Sequence, residues 1–274
     1  QSENLLDENG NLKIHPDGMS QLEYDTLKNT AHDSGDWINL DVLYSFILDN
    51  LDDWVINLTG GEPLYYPNID KFILKLSKTH KVIVTSNISL ISSKKELLKI
   101  DRNNFFLRIG YHPEFRSEKE FIRNMSYIID HNFKYIINYV LHPSYYVNST
   151  KYSDHIRLLI ENNYDYEVTP FEGKFDNITY PTPISKRSEL EMSLLSDHQL
   201  NFTQKSPIGD SFILAEPSGV IYECQGKEVM LGSVYENTLS LIQQPKNKCF
   251  NIIGCSPVAS ANNYLKIFTN NTLS

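Results

Sequence analysis

Hydrophobic residues follow two alternating spacings along residues 11–170. Short β-rich runs are separated by segments in which apolar residues return every three or four positions, as a helix with one buried face requires. This alternation is typical of repeated βα units around a parallel sheet. It predicts helices within residues 40–47, 69–76, 121–129 and 155–159. The strands are predicted at residues 11–16, 54–59, 81–86, 105–111, 134–141 and 164–169.

Polar residues inside the predicted strands alternate out of phase with the aliphatic residues that would pack under the helices. They are Asn57, Thr59, Thr85, Asn87, Arg108 and Asn138. A closed eight-stranded barrel fills its interior with branched aliphatic side chains. The polar phase therefore favours an open, six-stranded partial barrel with a ligand-sized cavity, and the alternative is a set of strand-end residues hydrated at the rim.

The sequence changes character after the sixth predicted strand, since residues 171–203 are polar and contain one predicted helix at 186–195. We predict a barrel over residues 1–180, a connector over 181–203 and a second module over 204–274. In that module, two β-rich runs flank the turn-forming sequence Glu216–Gly219 and predict a β-hairpin. A short helix is predicted at residues 239–243.

Composition narrows the classes of partner. The 274 residues are 41% hydrophobic, yet no apolar run approaches the ~20 residues of a membrane helix. The given sequence does not begin with a positively charged stretch followed by an apolar run, so we expect no signal peptide. Three cysteines do not form a disulfide framework, so we expect a cytoplasmic protein. The net charge of −9 opposes binding to nucleic acid.

Three short motifs carry a resemblance to a known family. A hydrophobic run ends in Thr59-Gly60-Gly61-Glu62-Pro63, a second sequence reads Leu12-Lys13-Ile14-His15-Pro16, and a third reads Thr85-Ser86-Asn87. These resemble, respectively, the GGEP motif, the strand before the cluster loop and the Thr-Asn end of the third strand in radical S-adenosylmethionine (radical SAM) enzymes. The resemblance implies an α/β fold, a partial (β/α)6 barrel of the radical SAM type, followed by a small α+β module.

The cluster motif of that family is missing. Its CxxxCxxC pattern falls on Ser20, Tyr24 and Leu27, and the chain contains no cysteine before Cys224. Iron-sulfur clusters need thiolates, which a hydroxyl, a phenol and an isobutyl group do not replace. We therefore expect no radical chemistry from this chain alone and no required cofactor.

The C-terminal module resembles the SPASM/twitch domain, which binds auxiliary clusters in peptide-modifying radical SAM enzymes. Cys224 ends a GxxxxC turn, while Cys249 and Cys255 match a CxxxxxC element. The resemblance implies an iron-sulfur cluster or a zinc ion on these three thiolates, with a fourth ligand from elsewhere. The alternative is three buried, reduced cysteines.

The resemblance also implies a vestigial S-adenosylmethionine site. Gly60, Gly61 and Glu62 match the residues that bind the methionyl amino group, and the polar strand residues Thr85, Asn87, Arg108 and Asn138 complete the set. Arg108 either receives a ligand carboxylate or pairs with an acidic residue of the sixth predicted strand, Asp165 or Glu167.

A radical SAM fold without its cluster is similar to the pseudo-radical-SAM companions of radical peptide maturases in Bacteroidales. That resemblance implies a non-catalytic accessory protein in ribosomal peptide modification, which binds a precursor peptide, its radical SAM maturase, or both. Two alternatives stay open: a metal- or auxiliary-cluster-dependent enzyme, and a sensor that binds S-adenosylmethionine weakly without turnover.

Three predicted strands end in the dipeptide His-Pro, at His15, His112 and His142. With Glu62 or Glu172, these imidazoles offer a mononuclear metal site at the mouth of the barrel. The alternative is that proline ends each strand while histidine forms hydrogen bonds at the rim. The absence of a close ligand spacing favours the second interpretation.

Overall fold

A parallel sheet organises the larger part of the structure. The computed structural model describes residues 38–52, 54–59, 62–113, 117–145, 149–171, 173–180, 213–222 and 230–241. Within these ranges five strands lie parallel in the order in which they occur along the chain. They are β1 (Val55–Leu58), β2 (Lys81–Ser86), β3 (Phe105–Tyr111), β4 (Tyr135–Leu141) and β5 (Tyr166–Pro170). The second to sixth predicted strands are thereby confirmed, while the first, residues 11–16, lies outside the described ranges.

Helices occupy the predicted positions between the strands. They are α1 (Leu40–Asn50), α2 (Ile69–Leu76), α3 (Glu118–Asp130) and α4 (Ser149–Glu161). The Asn39 side chain accepts hydrogen bonds from the first amides of α1, and the Ser117 side chain does the same for α3. Both are residue types that favour the N-cap, because their oxygen atoms satisfy amides that have no partner within the helix. Short 3-10 turns lie at Pro63–Tyr65, Ile91–Ser93, Lys95–Lys99 and Pro143–Tyr145.

The two faces of the sheet have different surroundings. One face packs under the helices, where Val84 and Leu107 of the sheet share a core with Ile73 of α2 and Phe121 of α3. The opposite face, which we call the inner face, contains a smaller apolar cluster. Its members are Val55, Ile83, Phe106 and Ile136. Because side chains alternate along a strand, the residues two positions further on point to the same inner face.

A short hairpin follows β5, formed by β6 (Gly173–Phe175) and β7 (Ile178–Tyr180). The sequence predicts only a polar connector here. Asp176 and Asn177 form the turn with φ angles of 50° and 60°. Aspartate and asparagine tolerate this left-handed conformation better than other non-glycine residues, so a two-residue turn closes the hairpin.

The C-terminal strands form a separate antiparallel sheet. Its strands are β8 (Leu214–Ala215), β9 (Val220–Tyr222), β10 (Met230–Ser233) and β11 (Thr238–Leu239), in the order β11-β10-β9-β8. The predicted hairpin around Glu216–Gly219 is confirmed by the pairing of β8 with β9. The helix predicted at residues 239–243 is wrong at its start, because Leu239 pairs with Gly232 of β10. The helix predicted at 186–195 lies outside the described ranges.

This small sheet packs against α1. Ile221, Leu231 and Val234 belong to the same buried core as the helices. The amide of Asn237 links the two parts, since its Oδ1 accepts from Asn50 Nδ2 at 2.9 Å and its Nδ2 donates to an Asp49 oxygen at 3.0 Å. Among the helices that the structure describes, none has the length and apolar character needed to cross a membrane.

Candidate functional site

A layer of polar side chains occupies the inner face directly above its apolar cluster. Two neighbouring pairs of these residues lie directly in register across the sheet, Thr85 with Arg108 and Asn138 with Glu167. Asn57 instead lies opposite Ile83, and Arg108 lies opposite Ile136 of β4. The predicted polar phase is therefore confirmed for Asn57, Thr85, Arg108 and Asn138, whereas Thr59 and Asn87 lie just beyond the ends of β1 and β2. We call this set the polar layer, and its members are Asn57, Thr85, Arg108, Asn138, Glu167 and Thr169.

Hydrogen bonds within the polar layer connect neighbouring strands. Thr85 Oγ1 donates to Asn57 Oδ1 at 3.2 Å, which joins β2 to β1. Thr169 Oγ1 donates to Asn138 Oδ1 at 2.7 Å, which joins β5 to β4. These hydrogen bonds pair hydroxyl and amide groups that would otherwise be costly to hold next to the apolar cluster of the inner face.

Arg108 and Glu167 form an ion pair that crosses a strand. Arg108 Nη2 of β3 lies 2.8 Å from Glu167 Oε1 of β5, so the side chains meet above β4. The side chain of Arg108 is 14% exposed and that of Glu167 is 29% exposed. Of the alternatives that the sequence left open for Arg108, the structure shows pairing with Glu167. Such a charge-assisted hydrogen bond neutralises an arginine that water reaches poorly.

The Glu62 carboxylate lies at the edge of the polar layer, where β1 and β2 end. Its Oε1 accepts from Ser86 Oγ at 2.7 Å and from Leu64 N at 3.0 Å, and its Oε2 accepts from Asn87 N at 2.7 Å. We call these four residues the Glu62 network. The network connects the turn after β1 to the last residues of β2, so the glutamate of the GGEP sequence makes structural contacts in this chain.

The residue after the Glu62 network has an unfavourable backbone conformation. Ile88 has a φ of 60°, although it is β-branched and fully buried. Its amide donates to Ser86 Oγ at 2.8 Å, and the next residue, Ser89, donates from both its amide and its hydroxyl to Asn87 Oδ1. A left-handed conformation costs about 1–2 kcal/mol for such a residue. The hydrogen bonds of the network and the burial of the side chain offset that cost.

The structure brings together part of the predicted S-adenosylmethionine site. Glu62 and Asn87 contact each other, and Thr85, Arg108 and Asn138 share the inner face. Gly60 and Gly61 lie outside the described ranges. Sequence reasoning missed the roles of Ser86, Leu64 and Thr169 in these contacts. For Thr169 a signal was present, since it lies two residues after Glu167 and so on the same face of the strand.

The two described histidines of the His-Pro dipeptides have different surroundings. His142 is buried, its Nδ1 lies 2.8 Å from Ser144 Oγ, and its ring packs edge-on against Phe171 and Phe175. His112 lies close to Gly110, where an added Cβ would be 3.5 Å from its Nε2. In the described ranges, no group of three His, Cys, Asp or Glu residues is arranged to hold a metal ion.

The remaining predicted metal positions lie outside the described ranges. These are His15 and Glu172 of the proposed rim, the thiols Cys224, Cys249 and Cys255, and the former cluster positions Ser20, Tyr24 and Leu27. A metal or cluster on the C-terminal cysteines stays a prediction.

Comparison with known proteins shows similarity in structure alone. No family model matches the chain, and no curated protein sequence matches it. Solved structures of anSMEcpe, an anaerobic sulfatase-maturating radical SAM enzyme with a SPASM domain, have a similar fold. The structure of a histidine-tagged anSMEcpe with bound AdoMet has 14% identity and a TM-score of 0.54, covering 76% of this chain and 68% of that chain.

Two further structures of the same enzyme contain peptides. "Native anSMEcpe with bound AdoMet and Cp18Cys peptide" has 14% identity and a TM-score of 0.53, over 76% of this chain and 72% of that one. The form with a Kp18Cys peptide has 12% identity and a TM-score of 0.50, over 72% and 68%. At these identities the likeness establishes the fold: an α/β chain with a parallel sheet, similar to radical SAM enzymes.

Proposed function

We propose that this chain is an accessory protein without radical activity that binds a precursor peptide, its radical SAM maturase, or both, during modification of a ribosomally made peptide. One observation carries the proposal. A fold similar to that of radical SAM enzymes occurs here in a chain with no cysteine in its first 223 residues.

The iron-sulfur cluster that the fold implies does not fit the donor set of this chain. The positions matched to the cluster motif are Ser20, Tyr24 and Leu27, and none supplies a sulfur ligand. Reductive cleavage of S-adenosylmethionine needs an electron from such a cluster. The proposal therefore assigns the barrel to binding.

The contacts of the Glu62 network and of the polar layer also support a role other than cofactor binding. The Glu62 carboxylate accepts hydrogen bonds from Ser86, Leu64 and Asn87, and Arg108 contacts Glu167. A sulfonium nucleotide would have to displace some of these contacts. A sensor that binds S-adenosylmethionine without turnover is the second candidate function, favoured by the polar character of the inner face.

Peptide binding is supported by the likeness to structures crystallised with peptides. It is also supported by the outer strands of the C-terminal sheet. In its described part, β8 and β11 are the outer strands. An extended peptide can add to such an edge, where backbone hydrogen bonds provide affinity. Met230, which is 63% exposed on β10, offers an apolar contact close to that edge.

The test begins with anaerobic purification of the full chain, an absorption spectrum, and quantification of iron, sulfide and zinc. We expect no cluster absorption and no deoxyadenosine when dithionite and S-adenosylmethionine are added. A radical maturase prepared in parallel is the positive control. A brown protein that produces deoxyadenosine would refute the proposal, and stoichiometric zinc or iron would instead support the enzyme alternative at the C-terminal cysteines.

Binding is measured separately. The full chain is immobilised and offered candidate precursor peptides and candidate radical SAM maturases, and its binding of S-adenosylmethionine is measured by calorimetry. Association with the peptide or the maturase, together with little heat from S-adenosylmethionine, is the expected result. Binding of S-adenosylmethionine without either partner would favour the sensor.

A further inference from the structure

We infer that the outer edge of β5 takes up an extended peptide as an additional strand of the parallel sheet. The inference rests on the proposed function and names the chemistry of its ligand: a short segment in which apolar and polar residues alternate, with a lysine or arginine at one end.

The register of β5 decides which of its backbone groups point away from β4. Ile137 N donates to Asp165 O at 2.9 Å, within the parallel pairing of β4 with β5. In a parallel ladder, every second residue directs both of its backbone groups to the same neighbouring strand, so alternate residues from Asp165 onward bond to β4. Tyr166 and Val168 therefore direct their amide and carbonyl groups away from β4. We call these four groups the β5 edge.

The β5 edge has no partner among the described residues. Within the described ranges β5 is an outer strand that pairs with β4, and no hydrogen bond joins the amide of Tyr166 or Val168 to another described residue. The hairpin that follows β5 turns back toward the end of β4, where the rings of Phe175 and His142 pack with their centroids 4.4 Å apart. A closed barrel has no such edge, whereas an open sheet presents its backbone donors and acceptors to another chain.

Side-chain burial shows that the surface beside β5 is open. Ile137 and Tyr139 of β4 are fully buried, whereas their partners in the register, Tyr166 and Val168, are partly exposed. On the inner face, the side chain of Glu167 is 29% exposed. Solvent therefore reaches both faces of this outer strand. An added strand would cover apolar surface on the helix side and lie beside polar groups on the inner side.

Two features of β5 set the pattern of the ligand. Tyr166 and Val168 contact the core under the helices, while Glu167 and Thr169 lie on the inner face. Side chains of adjacent strands share the two faces of a sheet, so the ligand should be apolar at every second position. Pro170 has no amide hydrogen, so the row of donors ends at Val168. The β5 edge therefore suits a short extended segment.

Charge favours a peptide over a second copy of this chain. Asp165 directly precedes β5 and Glu161 ends α4, and both are exposed and form no ion pair with a described residue. Two copies with a net charge of −9 each repel one another, and pairing β5 with β5 would bring Asp165 and Glu167 of both copies into one small interface. A peptide that carries a lysine or arginine beside its apolar segment is attracted by the same acids.

The β5 edge offers a peptide more hydrogen bonds than the outer strand β8. Glu216 N donates to Val220 O at 3.0 Å, so in the two-residue strand β8 it is Ala215 that directs its backbone groups away from β9. β5 directs two residues outward, which doubles the backbone contacts that an extended ligand gains. It also places the ligand beside the polar layer.

The probe is a fluorescent, acetylated and amidated heptapeptide of one lysine followed by three Val-Thr repeats. Its binding to the full chain is measured by fluorescence anisotropy, together with two isomers that are N-methylated at the three valines or at the three threonines. In strand addition only one of these sets of amides faces β5, so we expect one isomer to bind about tenfold more weakly than the other. With valine side chains on the helix side, sensitivity of the valine amides indicates an antiparallel ligand and sensitivity of the threonine amides a parallel one. Glutamate in place of lysine should weaken binding roughly threefold.

The decisive variant is Val168→Pro, which removes one outward amide and places a ring in front of the β5 edge. An edge strand tolerates proline where the lost amide faces away from the ladder, so V168P should keep the circular dichroism of the wild type and lose about tenfold in peptide affinity. The matched control is Glu118→Pro, at the exposed first residue of α3 after its N-cap Ser117, where proline is favoured. Peptide affinity should not change in E118P. If V168P unfolds, the two methylated isomers test the same edge in the wild type.

Several results would overturn the inference. Equal binding of the two methylated isomers would do so, as would full peptide affinity in a folded V168P, or no binding of the unmethylated peptide at millimolar concentration. If Ala215→Pro loses the peptide and V168P does not, the peptide adds to β8, so the proposed function stands and this inference fails. A wild-type dimer in analytical ultracentrifugation that V168P abolishes would assign the edge to a second copy. Failure of the chain to associate with any precursor or maturase, despite binding of the heptapeptide at β5, would instead refute the proposed function.

Discussion

Replacing Glu62 with glutamine tests whether the GGEP glutamate is structural in this chain. Its carboxylate accepts from Ser86 Oγ, Leu64 N and Asn87 N. A glutamine oxygen at the Oε1 position retains the first two contacts. The amide nitrogen then faces Asn87 N, so two donors oppose each other where a charge-assisted hydrogen bond existed.

The magnitude follows from that single loss. A hydrogen bond to a charged group contributes about 1.5–3 kcal/mol, and a buried donor left without an acceptor costs a similar amount. Since Glu62 is only partly buried, we expect E62Q to lower the free energy of unfolding by about 2 kcal/mol. Glu62→Ala loses all three contacts and should cost about 4 kcal/mol. Part of each loss is returned if Ile88 leaves its left-handed conformation, which is worth about 1–2 kcal/mol.

The assay is thermal denaturation followed by circular dichroism, with hydrogen exchange at the amides of Asn87 and Ile88. A loss of about 2 kcal/mol corresponds to a midpoint lowered by about 4–8 °C in a chain of this size. Ser86→Ala provides an independent variant, because this hydroxyl donates to Glu62 and accepts from the amide of Ile88. The control is Glu96→Gln, which removes the exposed ion pair between Lys99 and Glu96. This change should lower the free energy of unfolding by less than about 1 kcal/mol.

The result that refutes this reasoning is specific. If E62Q has the midpoint of the wild type and Asn87 and Ile88 exchange no faster, the network does not hold the end of β2. If E62Q instead abolishes ligand binding at unchanged stability, the glutamate acts on a ligand as in the resembled family.

Three further predictions concern other parts of the fold. Gly232→Ala places a Cβ 2.1 Å from the backbone oxygen of Thr238 and should disrupt the pairing of β10 with β11. In the control Gly110→Ala, the added Cβ meets nothing closer than 3.5 Å. Circular dichroism should therefore show a lowered midpoint of thermal denaturation for the first variant alone. Ile88→Gly relieves about 1–2 kcal/mol of backbone strain but removes a buried side chain worth about 2–5 kcal/mol, so urea denaturation should show a net loss of stability. Burial raises the pKa of Tyr135 and Tyr164. Their contribution to stability is therefore present below pH 10 and is lost as the pH rises through the raised pKa values. Absorbance at about 295 nm should show both tyrosines ionising at a higher pH in the folded than in the urea-denatured protein.

The alternation of strands and helices could be predicted from the sequence because it depends on local periodicity. β2 and β3 occupy the predicted residues 81–86 and 105–111, since each is a β-rich run with a polar residue at each boundary. The inner face was also predictable, because a period of two assigns Thr85, Arg108 and Asn138 to one side of the sheet.

Pairing within that face could not be predicted, because it depends on residues far apart in the sequence. Arg108 and Glu167 are separated by 59 positions, and Asp165 was an equal candidate until the register was known. The last two C-terminal strands, β10 and β11, were missed for a related reason: β11 has two residues and exists only through its contact with β10.

The sequence by itself determined the βα order, the polar phase of the strands and the lack of sulfur donors where a cluster would bind, because each follows from residue type and spacing. Only the tertiary structure decided that Glu62 joins β1 to β2 and that Glu167 neutralises Arg108. Both contacts require strands to be brought side by side in one register, and side chains distant in the sequence meet only after that alignment has formed.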